Sequence, residues 1–182
     1  MPDDPSERIA HHARAPAHLF RPGATYFLTA KTLHGEKHLL EERRRSELIK
    51  ALKFATEQRG WHLIAWVALA NHYDALLRAP AEVPADIDAI CRAVHRYTAA
   101  NWNREDQTPG RTLWYQYRDT CITSIGSFWA RWNYIHYNPV KHGLVTRPED
   151  YSYSSYRHWT QSDELDIQAM EDAYPWERLV LE

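Results

Sequence analysis

Cysteine is scarce. Cys91 and Cys121 are the two in 182 residues, too few for a disulfide framework and without metal or redox spacing. Long apolar runs are missing too: the longest, Leu63 to Ala70, falls far short of the ~18 residues that a membrane-spanning helix needs. Six glycines exclude a collagen-like repeat, and no internal repeat of any period is visible. No basic-then-apolar leader opens the chain, so the expectation is a cytoplasmic protein with no membrane partner. Net charge is nearly absent as well, at -2. What is present is ordinary for a soluble globular protein, 44% hydrophobic and 25% charged residues, in a length that suits one domain with trimmings.

The small net charge conceals an uneven distribution. Residues 1–160 hold 21 Lys+Arg and 17 Asp+Glu, a net of +4, whereas residues 161–182 hold one basic and seven acidic groups, a net of −6. A mildly basic body of this kind suits a phosphate backbone, with an acidic tail that folds over it or competes for it; solvated surface at both ends is the blander account. Eight tryptophans and eleven tyrosines exceed what a core this size requires, and many stand beside Arg or His. Aromatics interleaved with cations suit stacking on unpaired bases.

The chain divides into an N-terminal arm without periodicity (1–22), a body (23–160) and the acidic tail (161–182). Within the body, Thr25-Tyr26-Phe27-Leu28-Thr29 reads as a strand between Ala24 and Thr32. Residues Glu42 to Arg59 carry Leu48, Ile49, Leu52 and Ala55 at helical spacing before Gly60. Arg43-Arg44-Arg45 opens that helix, where the dipole disfavours cations; a ligand or a solvated surface accounts for it. Two strands follow, Trp61–Ala70 and His72–Leu77, then a helix from about Ala85 to Asn103 and a strand over Leu113–Ile122. A third helix runs from about Ser127 to Tyr137 with Phe128, Trp132 and Ile135 as its apolar stripe, and Pro139 is expected to end it. One more short helix is expected in the tail. The order β-α-β-β-α-β plus a helix predicts an α+β, ferredoxin-like (RRM-like) antiparallel sheet, two helices on one face and the other face free.

Two groups carry chemistry. Strand alternation puts His72 and Asp74 on one face, with Tyr73 on the other, and an imidazole with a carboxylate suits a divalent cation once a third ligand joins. Tyr134 lies off the stripe of the third helix, on the side of Arg131 and Asn138; a phenolate can attack phosphorus. By the residues alone, a surface His–Asp hydrogen bond and a half-buried packing tyrosine are the favoured accounts of the two groups.

The segment Tyr134-Ile135-His136-Tyr137-Asn138-Pro139-Val140-Lys141-His142-Gly143-Leu144-Val145 closely resembles the signature of the REP-associated tyrosine transposases, of the HUH single-tyrosine transposase superfamily. In order and spacing, Pro22–Thr29 resembles that family's first strand and Ala65–Tyr73 the strand leading into its His-hydrophobic-His motif. Trp114–Thr120 resembles the strand before the catalytic helix, and Asp150–Ser155 the motif after it. The resemblance covers about residues 20 to 160.

The resemblance implies a metal-dependent single-stranded DNA endonuclease and strand transferase, acting beside palindromic repeat hairpins through a 5′-phosphotyrosine. It implies Tyr134 as nucleophile and His72 and Asn138 as ligands of Mg²⁺ or Mn²⁺, with Asp74 expected as the remaining ligand; Arg131, Lys141 and His142, which flank the tyrosine, and Arg118 on the preceding strand are the expected DNA contacts. A nucleoid-associated location follows, and monomer and homodimer both stay open. His136, two positions past Tyr134, is not expected to take its proton, and Arg92, His95 and Arg96 are expected on a solvated face. Asp74 departs from the pattern, standing where the family usually has a second histidine. It suits a hard cation but adds negative charge beside a phosphate, so the alternative is a catalytically impaired hairpin-binding protein that retains the scaffold.

Overall fold

In the computed structural model, residues 21–82, 86–160 and 167–175 are described; most of the arm expected over 1–22 and parts of the tail over 161–182 lie outside them. Four strands, β1 (Thr25–Thr32), β2 (His62–Ala68), β3 (His72–Arg78) and β4 (Trp114–Cys121), form one sheet in the order β2-β3-β1-β4. Every neighbouring pair is antiparallel. Helices α1 (Glu42–Glu57) and α2 (Ile87–Glu105) connect β1 to β2 and β3 to β4, and α3 (Ile125–Lys141) follows β4. Two short helices, α4 (Tyr156–Thr160) and α5 (Ile167–Ala173), follow among the described residues. The expected element order is therefore observed, the sheet is ferredoxin-like, and no described helix is long and apolar enough to cross a membrane.

Alternation along β1 sorts its side chains into two cores. Tyr26, Leu28 and Ala30 pack with Leu48 and Leu52 of α1 and Ile90 and Val94 of α2. Phe27 packs on the opposite face with Val67 and Leu76, beneath Trp132 and Ile135 of α3. That second core corrects the expectation of a free face: the apolar stripe of α3 is buried on it, which is the cheapest way to remove Trp132, Ile135 and Phe128 from water.

The extent of α3 is a second correction. Ser124 caps its N-terminus by accepting from Ser127 N, but Pro139 lies inside the helix rather than ending it. The helix runs on to Lys141 because Pro139 sits in the last turn, where one missing N–H is offset by burial of both Asn138 and Pro139. Asn138 is consequently helical and stands one turn beyond Tyr134.

The arginine triplet holds the helical layer together. Arg43 pairs with Glu47 and with both carboxylate oxygens of Glu105. Arg44, 7% exposed, is bound to Asp106 and lies 5.5 Å over the Trp102 ring. Arg45 covers Tyr153 at 4.4 Å. Arg44 thus departs from both accounts of the triplet, since it ties α1 to the end of α2. Part of the acidic tail is also structural: Glu171 on α5 accepts from Tyr137 and Tyr156 hydroxyls, at 2.9 and 3.0 Å. Asn133 of α3 donates to the carbonyls of Met170 and Tyr174.

Candidate active site

The site begins with a row across the sheet. Val67 of β2 faces Asp74 of β3, Asp74 faces Thr29 of β1, and Thr29 faces Arg118 of β4. Residues that pair across strands share a face, so all four stand on the side covered by α3. One step along, His72 pairs with Lys31 on the same face. Tyr73 points the other way, its hydroxyl 3.0 Å from His95 Nε2. The expected division of His72-Tyr73-Asp74 is therefore what the strand presents.

Asp74 is 1% exposed because β3 is an inner strand and α3 lies over it. Its two oxygens are both engaged: Oδ1 accepts from Thr29 Oγ1 at 2.7 Å, and Oδ2 accepts from Asn138 Nδ2 at 2.6 Å. Asn138 Nδ2 also lies 3.4 Å from His72 Nε2, and His72 Nε2 is 3.9 Å from Asp74 Oδ2. His72, Asp74 and Asn138, from two separate elements, thus converge on one point.

The imidazole tautomer follows from its neighbours. Asn71 Nδ2 donates to the Gly35 carbonyl, which turns Asn71 Oδ1 toward His72 Nδ1 at 2.8 Å. An amide oxygen can only accept, so Nδ1 carries the proton and Nε2 presents its lone pair to the site. Burial lowers the His72 pKa despite the opposing pull of Asp74, so the ring is neutral at pH 7.

Asn138 Oδ1 is buried without a hydrogen-bond partner. In this arrangement the amide NH₂ occupies the position between His72 and Asp74 that a cation would take. A half-turn of the amide would bring its oxygen there instead, giving one nitrogen and two oxygen donors, a set that suits Mg²⁺ or Mn²⁺. These residues therefore fit a hard divalent cation. Among the described residues no cluster of three His, Cys, Asp or Glu forms such a site.

Tyr134 is half-buried on the same side of α3. Its ring meets Phe27 edge-on at 6.2 Å, and Lys141 Nζ lies 4.9 Å over its centroid. Burial, and then the charge of Asp74, push its phenol up to about 12. His136 is fully buried on the far side, its Nε2 2.8 Å from Ser155 Oγ, so it does not face Tyr134.

The expected DNA contacts gather around this centre. The His142 ring stands 5.6 Å from that of His72, and exposed Arg118 shares the row of Asp74. Arg131 is half-buried over Phe27 at 5.7 Å, its Nη1 bonded to Ser127, and burial lowers its pKa. On α2, Arg92 pairs with Asp88 and Asp86. His95 departs from the solvated face expected for it: its ring is stacked on Trp114 at 4.6 Å. Thr29 and Lys31 adjoin the centre and were not singled out, because their place depends on strand register. Only the period-two spacing from Phe27 hinted at a shared face.

No family model and no curated protein matches this sequence. Among solved structures, a REP-associated tyrosine transposase bound to a REP hairpin matches with a TM-score of 0.69 at 20% identity, over 81% of this chain and 86% of that one. A candidate transposase from Deinococcus radiodurans R1 matches with a TM-score of 0.44 at 18% identity, over 55% of this chain and 79% of that one. The first likeness shows that the chain has the fold of a REP-associated tyrosine transposase.

Proposed function

We propose that this protein nicks and rejoins single-stranded DNA beside a palindromic hairpin, with Tyr134 as the nucleophile. The observation that carries the reading is the convergence of His72 and Asp74 from β3 with Asn138, one turn beyond Tyr134, at a point with donors for a hard cation. The hairpin partner is supported by the DNA bound to the structural neighbour.

His72 Nε2, Asp74 and the Asn138 amide oxygen would hold Mg²⁺ or Mn²⁺. When bound, that ion supplies a Lewis acid for a phosphoryl oxygen. Lys141 and His142 hold the scissile phosphate beside the phenol, with Arg118 and Arg131 on its neighbours. Tyr134 Oη forms a bond to phosphorus as the bond to the 3′ oxygen breaks. The phenolic proton passes to solvent and the leaving oxygen takes one up, yielding a 5′-phosphotyrosine and a 3′ hydroxyl. Attack by a 3′ hydroxyl reverses these steps and rejoins a strand without ATP.

Two observations favour a second reading, a hairpin-binding protein that does not cleave: each Asp74 oxygen already accepts a hydrogen bond, from Thr29 and from Asn138, and no described residue hydrogen-bonds the raised Tyr134 phenol. Incubation with a labelled single-stranded hairpin and Mn²⁺ or Mg²⁺ separates the two. A denaturation-resistant protein–DNA adduct, lost in Tyr134→Phe, supports cleavage. Hairpin binding with an adduct only in Asp74→His supports the second reading, and absence of DNA binding rejects both.

A further inference from the structure

The surplus of tryptophan beside cations is not used up by the tyrosine site. Trp61, Trp102, Trp114 and Trp132 are buried in the two cores. Trp66, 7% exposed and part of the first core, and half-buried Trp159 line an open cavity of about 490 Å³ at the β2 edge of the sheet, the edge away from β4. That volume is in the range of small-molecule sites.

The cavity is built by three elements. A register shift between Leu63 and Ala65 leaves Ile64 out of the ladder, and Trp159 on α4 donates its Nε1 to the freed Ile64 carbonyl at 3.0 Å. Ser155 closes the far wall, with Trp66 N donating to its Oγ and its own N donating to Trp66 O, both at 2.9 Å. Over this floor stand two exposed side chains. Lys53 of α1 lies 5.0 Å from the Trp66 centroid, and the His158 ring is 6.1 Å from Trp66. No carboxylate is among the lining residues. The Trp159 ring is thus fixed by its bond to the Ile64 carbonyl and the Trp66 ring by burial in the first core, while the basic side chains above them stay open to solvent.

We propose that this cavity takes an unpaired nucleobase of single-stranded DNA, stacked on the Trp66–Trp159 wall, with Lys53 and His158 toward its phosphates. A flat π-face on fixed indoles and an anion beside basic groups are the two features this surface can recognise together. The proposal rests on the single-stranded DNA reading above and adds a second grip on the strand. Ser155 ties the cavity to α3, since the same hydroxyl that borders the cavity is the partner of His136.

The test uses the full chain with Tyr134→Phe, to prevent cleavage, and a hairpin whose single-stranded extension carries 5-iodouracil at successive positions. Irradiation is expected to give a cross-link mapping to Trp66 or Trp159 at one position. Lys53→Glu with His158→Ala, both surface changes, is expected to suppress it and to weaken binding of the extension about tenfold at low salt. Cross-links confined to the surroundings of Tyr134, with binding unchanged in the double variant, would overturn the cavity while leaving the tyrosine site standing. No binding of any DNA would overturn both. Tighter binding of the matching RNA, with the Trp66 or Trp159 cross-link, would overturn the choice of DNA.

Discussion

Asn138 Nδ2 lies 2.6 Å from Asp74 Oδ2, a hydrogen bond that joins the helix carrying Tyr134 to an inner strand of the sheet. Both residues are buried, at 0% and 1% exposure, so the bond is shielded from competing water. It fixes how far Tyr134 stands from the point where His72, Asp74 and Asn138 meet.

Removing one partner exposes the cost of that burial. Asn138→Ala leaves the buried Asp74 carboxylate with the Thr29 hydroxyl as its donor, and is expected to destabilise the fold by about 1–3 kcal/mol. Urea unfolding at pH 7 measures it. Within that range Thr29→Val should cost less, because Thr29 sits at the more open side of Asp74; equal stability of Asn138→Ala and wild type would mean that the bond contributes nothing.

The fold should weaken in alkali. Tyr134 and Tyr151 are both pushed up to about 12 by burial, above the ordinary phenol value near ~10. Between those values the folded state holds protons that the unfolded chain has released, so stability is full below about pH 10 and falls as pH rises toward 12. Denaturation midpoints from pH 9 to 12 should decline, and less steeply in Tyr134→Phe.

Acid should weaken it through His136. Burial drives this imidazole down to about 3, well below the ordinary value near ~6.5. The unfolded chain therefore binds the extra proton between these values, and stability present above pH 6.5 is lost as pH falls toward 3. His136→Gln can keep a bond to Ser155 without titrating. Its midpoint should vary less with pH across that window, with the residual slope from His95, which burial lowers to about 4.

Glu171 clamps α5 to the tyrosine helix through Tyr137 and Tyr156. Glu171→Ala should raise amide exchange over the last two turns of α3 by loss of both hydroxyl partners, roughly tenfold for ~1.4 kcal/mol. Exchange in β1 and β3 should be unchanged. Identical exchange in α3 would mean that α5 does not support it.

What was legible in the sequence was local. Alternation over Thr25–Thr29 and His72–Asp74, and the helical spacing of Leu48, Leu52, Phe128, Trp132 and Ile135, carry their own geometry, because strand and helix periods are properties of the backbone. The order of elements then restricts the sheet to few arrangements, and the ferredoxin-like one is found. Pro139 misled for the opposite reason: a lost N–H and a ring near the preceding turn are local penalties, whereas burial of Asn138 and Pro139 against the sheet is a tertiary gain.

By itself, then, the sequence determined the elements, their faces and the candidate residues for a site. Tertiary structure decided which of them meet. The register of β1 against β3 and β4 set Thr29, Lys31 and Arg118 around His72 and Asp74. The docking of α3 on the second face brought Asn138 to within hydrogen-bond reach of Asp74. The burial of Arg44, an orphaned amide oxygen and a cavity at the β2 edge all depend on distances between residues far apart in the chain, and no pattern along the chain encodes such distances directly.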